Sequence, residues 1–157
     1  MARPSRATML AQVTAAYPTI AEDLAQPLLN FVTVAREALG GDAEKILLIL
    51  IVGVRTSQHP EFADVTPSGL RRGETPVLPS LGINIRSIAD STGIPRETVR
   101  RKVAELVKAG WLARDGNDVR YTAEGYLAVT PAREAILAMA VRNYETVSRL
   151  LNRREPA

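Results

Sequence analysis

Ile85-Arg86-Ser87-Ile88-Ala89-Asp90-Ser91-Thr92, then Gly93-Ile94-Pro95, then Arg96-Glu97-Thr98-Val99-Arg100-Arg101-Lys102-Val103-Ala104-Glu105-Leu106-Val107 is the stretch on which the fold turns. Asn84 precedes the first run as a helix cap, and Ile85, Ile88 and Ala89 then share one face. Gly93 ends that short helix, because a residue without Cβ makes a sharp turn at no steric cost. Pro95 opens the next helix, in which Val99, Val103, Leu106 and Val107 recur at helical spacing as the buried side. Two helices joined by a tight glycine turn predict a helix-turn-helix.

Immediately downstream, Ala109-Gly110 stops the second helix. Trp111-Leu112-Ala113-Arg114 and Val119-Arg120-Tyr121 then flank the turn-rich Asp115-Gly116-Asn117-Asp118. That pattern predicts a β-hairpin, which directly behind a recognition helix makes a wing. Tyr126 to Val129, after Glu124-Gly125, reads as a third short strand whose pairing the sequence leaves open.

Working outward toward the N-terminus, residues 58–82 carry Pro60, Pro67, Pro76 and Pro79 with Gly69 and Gly73, and show no periodicity. They are expected to form a Pro/Gly-rich loop, solvated or in contact with a partner through Arg71-Arg72. Residues 18–57 are expected to hold two helices. The first has Pro18 in its opening turn and a stripe of Ile20, Leu24, Leu28, Phe31, Val32, Ala35 and Leu39, with Pro27 as a potential kink; Gly40-Gly41 ends it. Asp42 caps the second, Ala43 to Ser57, which is apolar on nearly all sides and therefore belongs against other elements. Residues 1–17, with Arg3 and Arg6 and no acid, read as a flexible basic arm.

On the other side, the winged helix-turn-helix core is expected over residues 83–129, and Thr130-Pro131 opens a C-terminal helix over 130–154. Its apolar stripe includes Ile136, Leu137, Ala140, Val141, Tyr144, Val147 and Leu151. The fold class is mainly α with a small β-wing: a winged helix-turn-helix flanked by N- and C-terminal helices. At 157 residues we expect a single domain.

Composition narrows the chemistry. Cysteine is absent, which excludes disulfides, thiolate metal sites and thiol nucleophiles. The single histidine, His59, has no neighbouring ligand for a metal. No phosphate-binding glycine loop, paired-carboxylate signature or nucleophile-base arrangement appears, so neither an enzyme nor a cofactor is expected. The longest apolar run, Ile46 to Val54, is too short to span a bilayer, and a cytoplasmic location with no membrane partner follows as the expectation. The sequence pI near 9.6 admits a polyanionic partner, although the net charge is only +3.

Position decides where bulk charge does not. From Arg96 to Arg120 there are seven Lys or Arg against four Asp or Glu, an excess that a solvated helix face would also show. The arginines, however, open the second helix of the pair, where side chains meet base edges in a major groove. Arg96, Arg100 and Arg101 can bond guanine at two acceptors, and Glu97 can accept from the cytosine amino group. Thr98 is placed for a phosphate or the helix backbone, and Lys102 and Lys108 for salt-dependent attraction. Arg114, Asn117 and Arg120 are the wing candidates. Trp111, Tyr121 and Tyr126 are read as packing residues rather than stacking platforms.

Ile88-Ala89, Gly93-Ile94, Arg96-Glu97-Thr98-Val99, Arg101, Leu106 and Gly110-Trp111-Leu112 together resemble the winged-helix bacterial transcriptional regulators, over residues 83–122. The segment at Arg96 looks like the recognition helix of the catabolite activator protein family, and that resemblance implies base contacts for Arg96, Glu97 and Arg101. The chain departs from that family at Arg100, where glycine is frequent, and nothing upstream resembles a cyclic-nucleotide domain. Helices on both sides of the motif resemble the layout of MarR-type dimeric repressors, from architecture alone. We therefore expect a homodimeric, sequence-specific regulator of double-stranded DNA, with room for a small-molecule effector of unspecified chemistry. The alternative is a winged helix used as a protein-protein interaction module in a larger complex.

Overall fold

The computed structural model describes residues 4–152. Ser5 starts the first helix: its hydroxyl accepts the Thr8 amide at 3.1 Å, and α1 follows as Arg6–Ala38. The flexible arm expected for residues 1–17 is thus corrected from Arg6 onward, while Arg3 lies outside the described residues. Ala7, Met9, Leu10, Ala11, Gln12, Ala15 and Ala16 are strong helix formers, and they outweigh the basic character that suggested an arm. Pro18 consequently sits inside α1 rather than in its first turn. Pro27 is buried, and the buried stripe runs through Pro27, Phe31 and Ala35, while Leu28 and Val32 point to solvent.

The chain divides into two compact units. One takes the chain up to Val34 and again from Pro131; the other takes Ala35–Thr130. A helix of 33 residues is about 50 Å long at 1.5 Å per residue, more than the diameter of one small core. In the first unit, α7 (Thr130–Asn152, entering at Pro131) accompanies α1, and Arg149 meets Asp23 at 3.5 Å. Arg153 and Arg154, assigned to this helix from sequence, lie outside the described residues.

The second unit is mainly helical with one small antiparallel sheet. Gly40 and Gly41 adopt positive φ, and Asp42 accepts the amides of Glu44 and Lys45 to start α2 (Ala43–Ser57). Next come β1 (Ile83–Asn84), α4 (Ile85–Thr92), α5 (Arg96–Lys108), β2 (Leu112–Asp115), β3 (Asp118–Tyr121) and α6 (Ala123–Ala128); a five-residue helix, α3 (Pro67–Arg71), lies between α2 and β1. The sheet order is β1-β3-β2, with Ile83 opposite Val119 and Leu112 opposite Tyr121. Leu48, Val52, Ile88, Val99, Val103, Leu112 and Val119 are fully buried. They join α2, α4, α5 and the sheet around one core, each contributing on the order of 1.5–3 kcal/mol.

Two further expectations are corrected. Residues 58–82 are not a structureless loop: a 3-10 turn spans Pro60–Asp64 and α3 follows. His59 Nδ1 accepts the Glu61 amide and Thr66 Oγ1 accepts the Gly69 amide, so Pro60 and Pro67 are first-turn residues rather than breakers. The segment then pairs beyond the hairpin, where Leu78 donates its amide to Tyr121 and Ala123 donates to Pro76. Tyr126 to Val129 is not a strand. Thr122 accepts the Gly125 amide at 2.9 Å and caps α6, and the third strand is Ile83–Asn84 instead.

Candidate nucleic-acid interface

Asn84 Oδ1 accepts the Ser87 amide at 2.9 Å, fixing the start of α4. Gly93 at φ 73° ends that helix, and Pro95 opens α5 with no side chain bonded to its first-turn amides. Val99, Val103 and Leu106 are pinned in the core, which forces the opposite side of α5 outward: Arg96, Glu97, Arg100, Arg101 and Lys108 are all exposed. α5 therefore presents three arginines and one carboxylate within its first two turns.

These side chains are not equivalent. Arg100 donates twice to Glu97, at 2.7 and 3.1 Å, and this contact holds the Glu97 carboxyl below its ordinary range. Arg101 lies 3.6 Å from the nearest Glu105 oxygen with its side chain 64% exposed. Arg96 has no ion-pair partner among the described residues. Thr98 is half-buried at the edge of the face.

Lys102 departs from expectation. Its side chain is only 9% exposed, and its ammonium bonds Asp42 and lies 3.2 Å from Glu44, so it is not on the exposed basic face. The helical period dictates this, since residue 102 follows Val99 by three positions and precedes Leu106 by four, which puts it on the inward stripe. Hydrogen bonding to Asp42 raises the Lys102 pKa against the effect of burial. Burial pushes Asp42 up, but the Lys102 hydrogen bond, the Lys45 amide and the two ammonium charges together outweigh it and leave the carboxyl below its ordinary value.

The hairpin turns at Gly116-Asn117, where Gly116 takes φ 60° and Asn117 does not have positive φ, the pattern of a type II′ turn. Arg114 and Asn117 are exposed near the tip. Arg120 is placed differently. Cross-strand pairing of Arg114 with Val119 and of Ala113 with Arg120 puts the two arginines on opposite faces, and Arg120 is half-buried with a 3.1 Å bond to Asp115. It lines a groove of about 750 Å³ shared with Leu70, Glu74 and Leu78 of the preceding segment. Arg114, which also lines that groove, and Asn117 are exposed on the hairpin, whereas Arg120 is half-buried and engaged by Asp115.

Sequence reasoning missed Lys45. Its ammonium bonds Glu105 at 2.8 Å, tying the start of α2 to the last turn of α5. No local pattern signals a contact between residues sixty positions apart. His59 serves as a helix cap and Tyr121 as a core residue whose hydroxyl donates to the Ile49 carbonyl at 3.0 Å. Among the described residues no cluster of three His, Cys, Asp or Glu is arranged for a metal, and no helix is long and apolar enough to cross a membrane. No protein-family model matches the chain, nor does any curated protein or any solved structure.

Proposed function

We propose that this protein is a winged helix-turn-helix transcriptional regulator that binds double-stranded DNA, with α5 as recognition helix and the β2–β3 hairpin as wing. One observation carries the reading. Arg96, Glu97, Arg100 and Arg101 stand together on the solvent face at the start of the second helix of a glycine-turned pair, and Val99 and Val103 brace them from beneath. The strand before α4 and the hairpin after α5 form one sheet in the order β1-β3-β2, which supports a wing held rigidly beside the recognition helix. In the bound state Arg96 and Arg101 would bond base edges, Glu97 would accept from a cytosine amino group, and Arg100 and Arg114 would meet base or phosphate. Glu97 must first release Arg100, which makes the face selective rather than uniformly sticky.

Binding as a homodimer completes the proposal. Leu137, Val141 and Tyr144 form an exposed stripe on α7, with Leu137 62% and Tyr144 74% exposed, and Leu10, Tyr17 and Leu28 lie on one face of α1. Such stripes suit an isologous interface, and two-fold symmetry suits a palindromic site.

Selection of preferred duplexes from a random pool tests the reading. A regulator of this kind enriches a short motif with two-fold symmetry, its affinity falls steeply with salt, and Arg101→Ala lowers discrimination by about 1–3 kcal/mol. Recovery of no motif, with no duplex bound at low ionic strength, refutes it.

A further inference from the structure

We propose that Lys45, on α2, is a positioning residue for DNA recognition: by holding Glu105 toward α2, it keeps the Arg101 guanidinium from being captured on its own helix. The inference rests on the duplex-DNA reading above and assigns that reading a residue outside the recognition helix.

The geometry is a three-body competition. One Glu105 oxygen bonds the Lys45 ammonium at 2.8 Å; the other faces Arg101 at 3.6 Å, beyond hydrogen-bond range. Lys45 is held in place by its backbone, since its amide bonds the Asp42 cap at 3.2 Å, and its side chain is largely covered. Lys102 cannot take over, because Asp42 and Glu44 already engage it. Without Lys45, two exposed cations of α5 lie within a helical turn of Glu105, Arg101 and Lys108, and Arg101 is the one already poised at 3.6 Å, whereas Lys108 makes no ion pair with it among the described residues. Closing that pair would bend the guanidinium back along α5 and spend the donors that would reach a base.

The mutant cycle uses full-length protein, the duplex selected above and a random duplex of equal length. Lys45→Met keeps the aliphatic stem and removes the charge. We expect it to lower the cognate-to-random affinity ratio by about twofold to fivefold, the range of an exposed helical ion pair. Adding Glu105→Gln should restore the ratio, because the carboxylate released by the loss of Lys45 is then gone. In an Arg101→Ala background, Lys45→Met should change the ratio no further. The ratio cancels the uniform loss of attraction that any removed lysine causes, and melting temperatures taken alongside register loss of fold separately. An unchanged ratio, or the same loss with Arg101 already removed, overturns the role of Lys45 while the DNA reading stands. Wild-type protein indifferent to duplex at low ionic strength overturns both.

Discussion

Lys102 and Arg101 are neighbours of the same charge, yet one is sealed against Asp42 and the other is open to solvent. Their different roles are accessible to mutation. Lys102→Met should destabilise the fold by about 1–3 kcal/mol, less than for a fully buried pair because Asp42 keeps some contact with water. The slope of duplex affinity against salt should stay as in wild type, since no phosphate contact is lost; a shallower slope would return Lys102 to the interface. The same pair sets a pH dependence. Asp42 is lowered in the native state, so its contribution is complete above the ordinary carboxyl value of 3.8 and fades as pH falls below it. Lys102 is raised, so its contribution is complete below 10.5 and fades as pH rises through the native value. Asp42→Asn should therefore flatten the acid limb of a urea-stability profile below about pH 4, and an unaltered limb would contradict the pairing. The Asp42 cap was legible in the sequence because it acts on amides two and three residues away; its bond to Lys102 was not, because only the folded chain brings those residues together.

At the scale of elements, local chemistry was legible where local chemistry decides. Asn84, Gly93, Pro95 and the Asp115–Asp118 turn mark α4, α5 and the hairpin within a residue or so of where they occur. Gly93 is the clearest test: a Cβ there meets nothing within 4 Å, so Gly93→Ala should cost about 1–2 kcal/mol of thermal stability from the left-handed backbone alone. The reading failed where a proline or a β-prone run has two local meanings. Pro60 and Pro67 look like breakers until His59 and Thr66 are seen capping behind them. Tyr126 to Val129 looks like a strand until Thr122 starts a helix that sets Gly125 on the Trp111 backbone and Tyr126 edge-on to Phe62 and Tyr121. At Gly125 space is the constraint, since a Cβ would overlap the Trp111 carbonyl. Gly125→Ala should cost at least about 1–3 kcal/mol in a denaturant melt. A neutral substitution would mean that α6 can slide away from Trp111.

For the molecule as a whole, the length of α1 was the hardest feature to anticipate, because the sequence places two prolines inside a helix that continues through both. The apolar positions on α1 and α7 were legible, but which of them face inward depends on how the helices pack. If the exposed stripe on α7 joins two copies, Leu137→Glu with Tyr144→Glu should convert a sedimenting dimer to a monomer and weaken binding to a two-fold site far more than to a half-site. A wild-type monomer at micromolar concentration would remove the dimer and leave the recognition face untouched. That face is the central claim, and titrating isotope-labelled full-length protein with its selected duplex at low salt, following backbone amide resonances, tests it most directly. Shifts should concentrate in residues 94–101 and around Arg114 to Asn117 and fade as salt is added. Shifts absent from the start of α5, or confined to another surface, would contradict it.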